Sequence, residues 1–402
     1  MKIDNKKPMK YCKGCTYPEI AVNIKFERDG YSSTYKTFKA WESISNEEWK
    51  KRKKVFEKIV KNIKKNNKSN YDCIIPVSGG KDSYYQTHIV KSYGLKPLLI
   101  TYNGNNFMKE GEYNRDRMKK VFDADHLMIS PSQDSLIKLN RLGFNKVGDM
   151  NWHNHCGIFS APFQYAAKFK IPYLIYGEPP FDISGMFKPE DFIEFTKRIR
   201  VEFSMRGREW DEFIKNNNEG LTAKDMNWAK YPSDQEIIQS KVKGLYLGNY
   251  FKWDPNKNTK MIIKKYGWKP AKKNFERTYR KISNLDDIYE NGTHDYLKFI
   301  KFGYGRATDH TTKDILTGYM TRNKGINLVK KHDHLVPYDL KVWLKYVDLS
   351  EEYFWKKTDT FRSPKVWWIK NNKWYKDNIW GVPSSYGRVN LSYKDQKKYI
   401  ID

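Results

Sequence analysis

Tyr71-Asp72-Cys73-Ile74-Ile75-Pro76-Val77 runs without a break into Ser78-Gly79-Gly80-Lys81-Asp82-Ser83, and no other stretch limits the fold as tightly. A short apolar run of this kind suits a strand buried on both faces. Adjacent glycines give the sharp turn that follows it, and Ser83 to Tyr93 has helical character ended by Gly94. The pattern then repeats: Pro97–Tyr102 reads as strand, Gly111–Phe122 as helix, His126–Ser130 as strand, Ile158–Phe169 as helix and Ile171–Gly177 as strand. Strands alternating with helices predict an α/β fold with a doubly wound parallel sheet. Such sheets bind ligands at the C-terminal ends of their strands, which is where the glycine loop falls.

The loop has the composition of an anion cradle. Glycines let backbone N–H groups turn toward a phosphate, and the following helix adds positive partial charge. Lys81 supplies a full charge, and Ser78 and Ser83 supply hydroxyls. The Walker spacing is absent, since the glycines are adjacent and the Lys is followed by Asp-Ser. Asp82 either helps to hold a metal ion or caps the helix. Glu178, at the end of the predicted fourth strand, stands at the same edge; its carboxylate serves an amine, a metal or a helix cap.

Upstream, Ser45 and Glu48 have capping-box spacing, and a helix is expected from Asn46 with Trp49, Phe56, Ile59, Val60 and Ile63 on one face. Beyond about residue 185 the chain turns to longer helical and irregular stretches rich in Trp, Tyr and Lys. From Val366 to Trp380 aromatic and basic residues alternate as in a half-buried strand or hairpin. The expected organisation is an N-terminal segment over 1–66, a nucleotide-binding catalytic domain over 67–335 and an aromatic-rich appendage over 336–402.

The 402 residues carry a formal charge of +28, which fits nucleic acid, an anionic surface or acidic small molecules as partners, or a lysine-rich composition serving solubility. The basic residues are spread along the chain, which argues against a dedicated binding tail. No apolar run is long enough to span a bilayer, and Met1–Lys10 lacks the apolar segment of a secretory signal. Four cysteines in a chain of this length do not make a secreted disulfide framework, so a cytoplasmic protein is expected.

The Ser-Gly-Gly-Lys-Asp-Ser loop resembles that of the PP-loop ATP pyrophosphatases (the adenine nucleotide alpha hydrolase-like fold), which cleave ATP between the α and β phosphates. Lys301-Phe302-Gly303-Tyr304-Gly305-Arg306-Ala307-Thr308-Asp309-His310, with Trp253-Asp254-Pro255, Tyr266-Gly267-Trp268 and Asp359-Thr360-Phe361-Arg362-Ser363-Pro364, resembles the N-acetyl sugar amidotransferase family. The resemblance runs from Tyr11 through the aromatic tail. It implies an ATP- and Mg2+-dependent enzyme of lipopolysaccharide or O-antigen synthesis that adenylates an acetamido group, on a nonulosonic acid or another surface sugar. Ammonia then replaces its oxygen to give an acetamidino group. Arg306, Asp309 and His310 would line that site; His310 is either a general base or a structural imidazole. None of the cysteines sits in a recognisable nucleophile turn. The resemblance therefore implies a separate glutaminase and an ammonia-channel subunit, both like those of a histidine-pathway synthase. The alternative is a tRNA-modifying enzyme with a similar loop, which the charge favours; the Lys301–His310 sequence argues against nucleic acid as partner.

Cys12-Lys13-Gly14-Cys15 has metal-pair spacing but supplies half a zinc site. The resemblance implies a second Cys pair, where Ser32 and Tyr35 stand here. His153, His155 and Cys156 are the remaining candidates to complete a Zn2+ site with Cys12 and Cys15, and Cys73 reads as core.

Overall fold

A computed structural model describes residues 7–179, 187–192, 194, 195, 197, 199–205 and 207–400. The charged start Met1–Lys6 lies outside them. The expected sheet is present. β1 (Cys73–Pro76), β2 (Pro97–Tyr102), β3 (His126–Ile129), β4 (Tyr173–Tyr176) and β5 (Lys243–Tyr246) pair in parallel in the order β3-β2-β1-β4-β5. Every residue of β2 is buried, as its unbroken apolar pattern requires.

The strand order reverses between β1 and β4. The loops leaving these two strands therefore diverge and open a crevice at the C-terminal edge. Before β1 come α1 (Ser33–Glu42) and α2 (Asn46–Asn66), the latter capped by the Ser45 side chain accepting from Glu48 N. The sheet is wound by α3 (Lys81–Ser92), α4 (Lys109–Phe122), α5 (Gln133–Val147) and α6 (Trp152–Phe169). The last lies across β1, β2 and β4, while α3 packs on β1 beside α4.

Helices downstream of β4 include α7 (Trp210–Ile214), α8 (Asp234–Ser240), α9 (Pro255–Tyr266), α10 (Asn291–Phe302), α11 (Arg306–Leu316), α12 (Arg322–His332), α13 (Leu340–Val347) and α14 (Glu351–Asp359). Asp254 caps α9, its carboxylate accepting from Asn256 N and Lys257 N at 3.0 Å each, with Pro255 as first helical residue. The aromatic tail forms an antiparallel sheet of β6 (Trp368–Lys370), β7 (Lys373–Asp377) and β8 (Pro383–Arg388).

The tail shares its core with the N-terminal segment and α10: Trp367, Trp374, Val389 and Tyr399 cluster with Met9 and with Tyr296, Phe299 and Ile300. Buried Asp359 and Arg362 pair at 2.9 Å beneath it, and the guanidinium stacks 4.1 Å from the Trp367 ring centre. No helix among the described residues is long and apolar enough to cross a membrane.

Candidate active site at the sheet crevice

The loop after β1 is held by its own side chains and by two distant residues. Ser83 Oγ accepts from Ser78 N at 3.0 Å, and Ser78 Oγ accepts from Gly80 N at 3.3 Å. Gly79 has φ of 78°, and a Cβ there would stand 2.5 Å from Arg115 Cα on α4, so only glycine fits. Its carbonyl accepts from buried Trp268 Nε1 at 2.9 Å, which gives the Tyr266-Gly267-Trp268 sequence a structural task.

Gly80 is the N-cap of α3 and offers no capping side chain. The first N–H groups of the helix, on Lys81, Asp82 and Ser83, therefore face the crevice without a cap, and an anion is their natural partner. Lys81 and Asp82 form an ion pair at the same point.

Across the crevice stands α11. His310 Nδ1 lies 2.6 Å from Thr278 Oγ1. Burial, followed by the charges of Arg280, Arg306, Lys313 and Lys81, holds the imidazole well below its ordinary value and keeps it neutral. The Lys81 charge reaching His310 ties the phosphate loop to α11. Four cationic side chains thus lie within electrostatic reach of one neutral imidazole, and Lys313 and Lys81 add positive potential there for an anion. Arg306 also pairs with Asp295 at 2.8 Å, and Arg280 with Asp314 at 2.5 Å.

The residues expected at this site fall into two groups. Ser78, Gly79, Gly80, Lys81, Asp82, Ser83, Arg306 and His310 gather around the crevice. Asp309 is turned to architecture instead: Oδ1 accepts from Tyr17 OH at 3.0 Å, and Oδ2 from Lys298 Nζ. Glu178 is half-buried in the loop after β4, next to Gly177, whose carbonyl accepts from Gly248 N at 2.9 Å.

Thr278, Arg280 and Arg115 escaped the sequence reading because nothing in their local sequence marks them. A stronger signal was available at Leu285-Asp286-Asp287-Ile288-Tyr289-Glu290, where three acids cluster in a chain of charge +28.

The expected zinc set is not assembled. Cys12 and Cys15 are fully buried near Ser32: Cys12 Sγ accepts from Ser32 N at 3.3 Å, and Cys15 Sγ lies 3.6 Å from Ser32 Oγ. Hydrogen bonding from Cys15 lowers the Cys12 thiol to about 5. Cys156 is packed in a separate core against Ala229 O at 3.5 Å, and burial pushes its thiol up. His153, on the same helix, faces Tyr102 and Glu290, and His155, two residues on, is half-buried. The two sets belong to different cores, and among the described residues no group of three or more His, Cys, Asp or Glu could hold a metal ion. Ser32 stands beside both sulfurs, and the Tyr35 ring packs against Gly14.

Fold and site together define a parallel α/β protein with an uncapped glycine loop at the switch point of its sheet. Residues 261–379 match the family described as LPS biosynthesis protein WbpG-like, C-terminal domain, a stretch that holds α10, α11 and α12. No curated protein matches the chain. Among solved structures, NMN synthetase from Francisella tularensis is similar over 53% of this chain and 95% of its own, at 12% identity and a TM-score of 0.28, a likeness too slight to bear on fold or function.

Proposed function

We propose that the protein is an ATP-dependent amidotransferase of lipopolysaccharide synthesis, which converts the acetamido group of an N-acetylated surface sugar to an acetamidino group. The observation that carries this reading is the uncapped glycine loop after β1, with the Lys81 charge within electrostatic reach of neutral His310. The match of residues 261–379 to a family of lipopolysaccharide synthesis supports the substrate class.

An amide oxygen is a poor leaving group. Its attack on the α-phosphorus of ATP releases pyrophosphate and makes AMP the leaving group; ammonia then adds to the carbon and AMP departs. Loop amides and Lys81 would hold the phosphates, and Arg280 and Arg306 would offset charge developing between them. Neutral His310 can accept the proton that the adduct sheds after ammonia has added to the carbon. Mg2+ neutralises the triphosphate when bound, and Asp82 is the loop carboxylate suited to hold it. All four cysteines are fully buried, which leaves no thiol open to glutamine. Ammonia would therefore come from a separate glutaminase through a channel-forming partner.

The test is mass spectrometry of products from ATP, Mg2+, an ammonium salt and a panel of N-acetylated sugar nucleotides and nonulosonic acids. AMP, pyrophosphate and a sugar in which one carbonyl oxygen has become NH are expected. No altered sugar, with AMP release stimulated by bulk tRNA, would overturn this reading in favour of tRNA modification, to which the charge of +28 is suited.

A further inference from the structure

The turn Leu285–Glu290 folds onto the segment that leaves β2. Met108 N donates to Leu285 O at 3.1 Å, Ile288 N to Asn106 O at 2.8 Å, and Asn106 N to Asp287 Oδ2 at 3.2 Å. Three acids are thereby brought to the same sheet edge as the phosphate loop. Asp287 is consumed by the turn itself, its Oδ1 accepting from Tyr289 N and Glu290 N at 2.6 Å each.

The other two have capacity left over. Glu290 is fully buried; Oε1 accepts from Asn140 Nδ2 at 2.9 Å and lies 3.1 Å from His153 Nε2. Its Oε2 is buried with no hydrogen-bond partner among the described residues, and Asn105 Oδ1, on the neighbouring loop, is in the same condition. Asp286 is half-buried, and among the described residues no other residue hydrogen-bonds its carboxylate. Burial raises its carboxyl above the usual range, Arg306 opposes that rise, and Glu290 adds to it, so both lie within electrostatic reach. Arg306 bears in turn on His310, which links this acidic corner to the crevice.

An unsatisfied buried acceptor costs about 1–3 kcal/mol. Surplus acceptors with negative charge call for a ligand that brings only N–H donors and a positive charge, as an ammonium group does. Water brings lone pairs as well. In a chain of charge +28, such a corner is also where a small cation can settle beside the phosphate loop.

We propose that Asp286 and Glu290 bind ammonium and that Asp286 takes its proton, a role that rests on the amidotransferase reading. The step balances: one N–H bond of ammonium breaks, its proton passes to the Asp286 carboxylate, and the freed lone pair forms the C–N bond as the bond from carbon to the AMP oxygen breaks.

Two measurements test it. In thermal melts at matched ionic strength, ammonium chloride raises the wild-type midpoint by about 2 °C over tetramethylammonium chloride, and Asp286→Asn abolishes the difference. In amidation kinetics, Asp286→Asn raises the apparent KM for ammonium by about tenfold or more. Hydroxylamine, which is uncharged at neutral pH, loses less in the variant than ammonium does. Equal stabilisation by both salts, or an Asp286→Asn protein that responds to ammonium like the wild type, overturns the proposal and leaves a site for water only. Ammonium-specific, Asp286-dependent stabilisation in a protein that amidates no sugar would keep the cation site and remove the amidotransferase reading.

Discussion

Lys81 is the one positive side chain on the loop itself, and its partner Asp82 is adjacent in sequence, so the ion pair can open toward a phosphate without disturbing the fold. Lys81→Ala is expected to lower turnover by roughly two to three orders of magnitude, measured as AMP release, with little change in melting midpoint. His310 reports on the opposite wall. Its folded value lies below that of an unfolded histidine, about 6.5, so the unfolded chain takes up the proton first. The stability held by the neutral ring is therefore complete above pH 6.5 and is lost as pH falls below it. Urea melts at pH 7.5 and 5.5 should show wild type losing up to about 1 kcal/mol more on acidification than His310→Gln.

At the scale of elements, α11 depends on a residue far from it in sequence. Gly305 is its N-cap and has no side chain, so Asp333, 3% exposed at the end of α12, does the capping. Its carboxylate accepts from Gly305 N at 2.8 Å, Ala307 N at 2.9 Å, Thr308 N at 3.3 Å and Thr308 Oγ1 at 2.5 Å. Asp333→Ala leaves those buried donors without an acceptor and should cost about 2–4 kcal/mol in denaturant melts. Asp333→Asn should recover part of this loss.

Such a cap is invisible in a local reading, because a capping box looks three residues ahead and this partner lies 28 residues away from Gly305. The strands β1 to β4 were legible, since unbroken apolar runs and turn residues announce them. Lys243-Gly-Leu-Tyr, four residues with a glycine inside, carries no such pattern; β5 is formed because β4 offers it an edge. The same contrast divides the site. Contiguous Ser78–Ser83 could be read directly, whereas Asp286, Arg280 and Thr278 acquire meaning when the segment after Trp268 is folded across the crevice.

On the scale of the whole molecule, the N-terminal segment is clasped by the far end of the chain. Met9 N donates to Asp377 Oδ2 at 2.8 Å, and Tyr11 OH to Asp377 O at 3.2 Å. Thr16 Oγ1 lies 2.8 Å from Thr311 Oγ1 and 2.9 Å from Thr312 Oγ1 on α11, while Arg322 Nε donates to Cys12 O and Cys15 O at 3.1 and 3.0 Å. Deleting residues 1–11 should therefore loosen β6–β8: limited proteolysis is expected to cut the tail sheet several-fold faster, while the parallel sheet stays protected.

The Met9–Asp377 clasp also has a meaning in time. These partners are 368 residues apart, so at ordinary elongation rates of about 5–20 residues per second the start of the chain waits roughly 20–70 s for its partner to be made. Through that interval Tyr11 and Ile20 lack the surfaces that later cover them, and the nascent chain presents them to whatever surrounds the ribosome.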